Sequence, residues 1–299
     1  MREAPGVWFQ AVRPFTLSAA VVPVLVGSSL AVESGTFHAF LFILGLIGSV
    51  LVQSGTNLTD EYADHNTDTA RHKVQAPYKV IARGLLTPGA VLRGALTCFG
   101  LAALIGVYLV TRTGWPLAVV CLASVGVAYC YSAGPLPLGN VALGEPLVFI
   151  FMGPVMVLGS FYVQTQTITW TAVWLSLPVA CLVTDILIAN NLRDAGEDIL
   201  SGKTTLVHLW GRQSVALLYC ALLLIAFASV GTLVLAGLGS WIWLATFLSL
   251  PQAIGTARNV TRSKERADLH QALRGTAQLH LRFGLLLSAA LVLGPFLPG

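Results

Sequence analysis

Nine apolar runs of about 17–24 residues recur along the chain, and no other feature limits its fold as strongly. Their approximate cores are 14–31, 39–56, 90–110, 115–131, 143–163, 169–189, 214–235, 240–257 and 279–297. At about 1.5 Å of rise per residue, each is long enough as a helix to cross roughly 30 Å of hydrocarbon. Hydrophobic residues make up 56% of the chain and charged residues 10%, which excludes an ordinary soluble domain of this length. The expected fold is therefore all-α: a polytopic membrane bundle of nine transmembrane helices, forming one domain over 1–299. The first apolar run already has full span length and no convincing cleavage site, so no removable signal is expected.

Basic residues give an orientation for these spans. With the N-terminus cytoplasmic, the inner side holds the N-terminal tail and the connections after spans two, four, six and eight. All but Arg112 of the 17 Lys and Arg residues then lie at that side. The expected placement is an integral protein of the cell's inner or plasma membrane, with its C-terminus outside. The net charge of +4 is assigned to loops near anionic lipid and not to nucleic acid. Cys98, Cys121, Cys130, Cys181 and Cys220 lie in or at the ends of spans without CxxC spacing, and read as small apolar helix residues.

Acidic residues are scarce, and most of them gather in two places. The first stretch closes span two and contains Asn57, Asp60, Glu61, Asp64 and Asp68. At about 100° per residue these five positions fall on one helix face. Two unit charges roughly 6 Å apart at an effective dielectric of about 20 repel by about 3 kcal/mol, so such a stripe calls for cations. Its oxygen donors suit a hard divalent metal. The second stretch closes span six, where Asn190, Asn191, Asp194 and Asp198 share a face. Both stretches terminate even-numbered spans and so belong to one side of the membrane.

A polar loop follows each stretch. The first carries Arg71, Lys73, Lys79 and Arg83, and the second carries Lys203. Carboxylates followed by cations suit a metal-bound diphosphate whose leaving charge is stabilised, although positive-inside flanking explains part of the same pattern. Span four ends at Tyr131 in a Pro- and Gly-rich turn, and Glu145 opens span five. A carboxylate near hydrocarbon is costly, so Glu145 is a functional candidate beside the plainer reading of a snorkelling side chain. For Asp185, deeper in span six, a packing hydrogen bond competes with a substrate role. Trp8, Phe9 and Arg13 read as an interfacial anchor, Gly45, Gly48 and Gly55 as close-approach points, and His208, His270 and His280 as surface histidines.

The two acidic stretches resemble the paired motifs of the UbiA superfamily of intramembrane aromatic prenyltransferases. Asp60-Glu61-x-x-Asp64-x-x-x-Asp68 matches the first motif with Asp60 in place of its usual Asn and Glu61 in place of its usual Asp. Tyr131-Ser132-Ala133-Gly134-Pro135, Leu143-Gly144-Glu145-Pro146, Asn190-Asn191-Leu192-Arg193-Asp194 and Gly202-Lys203-Thr204-Thr205-Leu206 resemble the members of that superfamily acting on 1,4-dihydroxy-2-naphthoate in menaquinone or phylloquinone synthesis. The resemblance implies Mg2+-dependent transfer of a polyprenyl group from polyprenyl diphosphate to that acceptor, with loss of CO2. It implies Asn57, Asp60, Glu61, Asp64, Asp68, Asp194 and Asp198 as metal residues, of which Asp64, Asp68, Asp194 and Asp198 carry the catalysis. Arg71, Lys73, Arg83 and Lys203 would hold diphosphate. Tyr131, Glu145, Asn190 and Asn191 would face the aromatic acceptor. Other acceptors, such as homogentisate or 4-hydroxybenzoate, stay open, as does a divalent cation transporter built from the same acids.

Overall fold

The computed structural model describes residues 5–65, 79–132, 137–200, 202–263 and 265–296. A short helix α1 (Pro5–Ala11) leads through a 3-10 turn (Pro14–Thr16) into α2 (Ser18–Glu33) and then α3 (Ala39–His65). The chain continues through α4 (Pro88–Thr113), α5 (Trp115–Ser132), α6 (Gly144–Thr165), α7 (Trp170–Leu200) and α8 (Leu206–Leu235). A 3-10 helix (Trp241–Ser249), α9 (Leu250–Arg262) and α10 (Arg266–Leu293) complete it.

Local chemistry sets several of these boundaries. Thr87 caps α4 by accepting from the Ala90 N–H at 3.2 Å, Pro88 stands in the first turn, and Gly114 ends the helix at φ 89°. Within α6, Pro154 has no N–H to donate, and the helix passes it through a π-helical stretch, Phe151–Val155. α8 bends where Gly211 takes φ 79°, a conformation that other residues rarely adopt.

Among the described residues, seven helical segments are long and apolar enough to cross a membrane. The two remaining cores depart from the nine uniform spans expected. Core 115–131 lies in a shorter apolar helix, Trp115–Tyr131. Core 240–257 is divided between the 3-10 helix and α9, because Pro251 in the first turn of α9 cannot continue a single hydrogen-bond ladder. Only Ala253, Thr256 and Val260 of α9 are buried, a stripe on one face. The acidic stretches extend their helices past the apolar runs, α3 to His65 and α7 to Leu200.

The bundle has an inner and an outer part. Buried residues recur around all sides of α7 and along most of α2, and α10 packs against both. α3 and α4 pack chiefly on each other and expose Phe40, Ile43, Ile47, Leu101, Leu104 and Val107. An outward apolar surface of that kind fits lipid and not water. Close crossings depend on absent side chains: a Cβ on Gly153 would lie 2.2 Å from the Ala180 Cβ, and one on Gly284 2.3 Å from Val22. Of the glycines singled out in span two, Gly55 is tight against the Phe99 ring, Gly48 less so against Ile105, and Gly45 has only ordinary contact.

Three further expectations change. Trp8 packs over Gly94 of α4 instead of standing alone at the interface, whereas Phe9 is exposed. His280 is fully buried in α10, and neither ring nitrogen has a hydrogen-bond partner among the described residues. It is therefore not a surface histidine. For Asp185 one of the two readings drops out: it is likewise fully buried, and neither oxygen has a packing hydrogen bond among the described residues. All five cysteines are free thiols.

Candidate active site

The end of α3 holds the first acidic group. Glu61 is buried and accepts from the Ile81 N–H at 3.0 Å, while Lys79 Nζ lies 3.2 Å from its second oxygen. Lys79, itself buried, also ion-pairs with Asp64. One ammonium thus neutralises two members of the acidic stripe. Asp60 faces Arg13 at 3.6 Å, and Arg13 reaches it from a left-handed backbone position at φ 52°. Asn57 is tied to the N-terminal segment: its amide donates to the Val12 carbonyl at 2.6 Å and the Thr16 hydroxyl at 2.9 Å. That bond locks α3 to the entry of α2. Arg83 is exposed and donates to Gln10 at 3.3 Å. Asp68, Arg71 and Lys73 lie outside the described residues.

The end of α7 repeats the device with different cations. Arg193 donates to Asp194 through two nitrogens, at 2.7 and 2.5 Å, and to Asn190 at 2.9 Å. Arg266 at the start of α10 lies 3.7 Å from Asp194 and also pairs with Glu197. His270, one turn into α10, is 3.4 Å from Arg193. Asp198 is fully buried, with Lys203 Nζ 3.6 Å from its Oδ2.

The second end is tied to the α5–α6 turn. Thr204 donates its N–H to Asn140 and accepts from Ala142, both at 2.9 Å, so the loop after α7 pairs briefly with the loop after α5. His208 fixes the same loop: its Nδ1 accepts from the Thr205 N–H at 2.9 Å, which leaves Nε2 to donate to the Ala195 carbonyl at 2.9 Å. Gly139 lets that turn approach Tyr131, since a Cβ there would lie 3.1 Å from the ring. A Cβ at Gly144 would stand 3.4 Å from the Tyr131 hydroxyl, so the start of α6 lies against the same ring. Beside it, buried Glu145 accepts from the Asn191 amide at 2.9 Å, linking α6 to α7.

The donors are carboxylate oxygens, the type a hard divalent ion takes. Among the described residues, however, no three acidic, His or Cys side chains stand close enough to hold one ion; Lys79 pairs instead with Glu61 and Asp64, and Arg193 with Asp194. A metal fits the chemistry of this set once those cations give way. Arg13, Lys79, Arg193, Arg266, His208 and His270 were undervalued from sequence. The partners of Arg13, Lys79, Arg266 and His270 lie well separated in the chain, whereas His208 pairs with Thr205 three residues before it and Arg193 with its neighbour Asp194 and with Asn190 one turn back. The Asn-Asn-Leu-Arg-Asp stretch was the one visible signal.

Comparison with known proteins agrees with this architecture. The profile of the UbiA prenyltransferase family matches residues 20–287. The 1,4-dihydroxy-2-naphthoate octaprenyltransferase of Bacillus subtilis is 35% identical, over 99% of this chain and 95% of its own. The apo structure of a UbiA homolog from Aeropyrum pernix superposes at a TM-score of 0.69 with 16% identity, covering 92% of this chain and 97% of that one. A UbiA homolog from Archaeoglobus fulgidus, solved bound to DMAPP and Mg2+, gives 0.61 with 12% identity, covering 94% and 99%. With a family profile over most of its length, a matching solved fold and a full-length relative, the chain belongs to the UbiA prenyltransferase family.

Proposed function

We propose that this protein transfers a polyprenyl group from its diphosphate to 1,4-dihydroxy-2-naphthoate with loss of CO2, releasing diphosphate and giving the prenylated 1,4-dihydroxynaphthalene, the reduced form of demethylmenaquinone. The observation that carries the reading is that α3 and α7 each end in carboxylates held by basic side chains, Glu61 and Asp64 by Lys79 and Asp194 by Arg193. The name of the Bacillus subtilis relative supports the acceptor, and the Mg2+ in the Archaeoglobus fulgidus structure supports the metal.

In this reading Asp60, Glu61, Asp64 and Asp68 on one side, and Asp194 and Asp198 on the other, hold Mg2+. When bound, the metal neutralises the diphosphate and favours its departure. Asn57 acts at one remove, by holding α3 against the chain before α2. Lys203, Arg71, Lys73 and Arg83 stabilise the charge that grows on the leaving diphosphate. In the same reading the Tyr131 ring, half-buried, faces the allylic cation, and Glu145, Asn190 and Asn191 orient the acceptor. The low-dielectric bundle keeps water from the cation. The apolar tail lies along outward-facing helix surface in lipid. The bundle spans the membrane nine times, with the broken Trp241–Arg262 segment as the eighth crossing, both acidic ends cytoplasmic and the C-terminus outside.

The test is prenyl transfer by purified protein in detergent, with a polyprenyl diphosphate, Mg2+ and a panel of acceptors. Product and CO2 from 1,4-dihydroxy-2-naphthoate are expected. Transfer only to homogentisate or 4-hydroxybenzoate would overturn the acceptor, and no transfer to any ring would overturn the reaction.

A further inference from the structure

A cavity of about 630 Å³ opens at the end of α7, away from its acidic face. Gly196 and Ile199 form part of its α7 wall, and at about 100° per residue they are turned by roughly 150° from Asp194 and Asp198. The α8 wall comes from both sides of the bend at Gly211: Val207 and His208 precede it and Arg212 follows. That break in the helix makes the surface concave. A Cβ at Gly196 would meet nothing within 4 Å, so the space beside it is open.

The lining is charged on one side of the scale only. It holds two fixed cations, Lys203 and Arg212, and among the described residues no carboxylate. His208 uses both ring nitrogens, on Thr205 and Ala195, and so shapes the wall without offering a further donor. Arg212 donates through Nη2 alone, to the carbonyls of Val260 and Ser263, so its Nε and Nη1 groups have no partner among the described residues. Around these cations Ile199, Leu200, Leu209 and Trp210 are all exposed. Cations set among exposed apolar and Trp side chains at the end of a spanning helix suit the boundary between headgroups and acyl chains. A small soluble anion would leave those side chains in water, whereas a lipid covers them with its chains. A headgroup that carries its own ammonium would meet two cations and no carboxylate, so the charge balance selects an anionic one.

We propose that this cavity binds the phosphodiester headgroup of an anionic phospholipid, with Arg212 and Lys203 on the phosphate and the acyl chains along Ile199, Leu209 and Trp210. The site goes beyond the prenyl-transfer reading and does not depend on it. Lys203 also reaches Asp198, at 3.6 Å, so the cavity and the second acidic end share one cation. Arg212 belongs to the cavity alone.

The experiment is electron spin resonance of the protein in phosphatidylcholine vesicles carrying a trace of spin-labelled phosphatidylglycerol or, in parallel, spin-labelled phosphatidylcholine. The protein-bound fraction is read as the immobilised component. The wild type should hold phosphatidylglycerol about 10-fold or more tighter than phosphatidylcholine, each cation giving about 5-fold. Arg212→Gln should lower that preference about 5-fold. Gly196→Leu fills the cavity without removing a charge or a hydrogen bond, and should abolish most of the preference; it carries the test if Arg212→Gln loses its tie to Ser263 and unfolds. An unchanged thermal midpoint shows that a variant is folded. Arg258→Gln removes an exposed basic residue outside the cavity and should leave the preference as it was. Equal affinity of the wild type for the two lipids, full preference in Gly196→Leu, or equal losses in Arg212→Gln and Arg258→Gln would overturn the inference. Complete displacement of phosphatidylglycerol by excess inorganic phosphate would assign the cavity to a free anion and overturn the lipid.

Discussion

Lys79 joins Glu61 to Asp64 and is nearly inaccessible itself, so the first acidic stripe carries its own counter-ion. Removing one partner of a buried ion pair leaves the other charges uncompensated. Lys79→Met should therefore destabilise the protein by about 3 kcal/mol in the absence of Mg2+, read as a lower midpoint of thermal unfolding. Mg2+ should raise that midpoint more in the variant than in the wild type, because lysine no longer competes for the same carboxylates. An equal Mg2+ effect in both proteins would separate the lysine from the metal. Asp185 behaves oppositely. Its buried, unpartnered carboxyl costs about 1–3 kcal/mol, so Asp185→Leu should raise the melting temperature. A fall would reveal a partner that Asp185 needs. The carboxylates themselves were legible in the sequence, since four of them fit one helix face by spacing alone. Their cations were not, because Arg13, Lys79 and Arg266 meet them through tertiary contacts that leave no local pattern.

At the scale of the element, helix identity was readable wherever an apolar run met a cap or a polar stripe. α3 and α7 continue past their apolar cores because the acidic residues beyond repeat at helical spacing. The broken eighth segment was not readable, since Trp241–Ser249 is as apolar as a true span and only its hydrogen bonding differs. Crossing points were readable only in part. Many glycines are spread over the chain, yet few stand at contacts, and composition does not distinguish them. Gly153 and Gly159 occupy the same helix: a Cβ on Gly153 would strike Ala180, whereas one on Gly159 would meet nothing within 4 Å. Gly153→Ala should cost about 1–3 kcal/mol by forcing α6 from α7. Gly159→Ala should be neutral or stabilising by up to about 1 kcal/mol, and thermal unfolding of the two side by side checks the pair. Similar losses in both would mean that helix propensity, not the crossing, governs α6.

Over the whole molecule, an inner set of α2, α7 and α10 fixes the second acidic end, while the outer α3–α4 pair carries the first. Arg13 pairs with the first end, and the Asn140–Thr204 pairing holds the loop after the second. The orientation proposed for these ends rests on the distribution of basic residues. In a cysteine-free background, Ser263→Cys should be labelled by an impermeant thiol reagent only from the cytoplasm, and Arg112→Cys only from the opposite face. Labelling of both from one side would invert or break the topology. The central claim is that the two acidic ends act as one site. Its most direct test is a cycle of Asp64→Ala, Asp194→Ala and the double variant, with calorimetric binding of polyprenyl diphosphate in the presence of Mg2+. One shared site predicts that either change alone weakens binding about 100-fold and that the double variant is scarcely worse, since contacting partners are non-additive. Losses that simply add, or a single variant that binds as the wild type does, would contradict it.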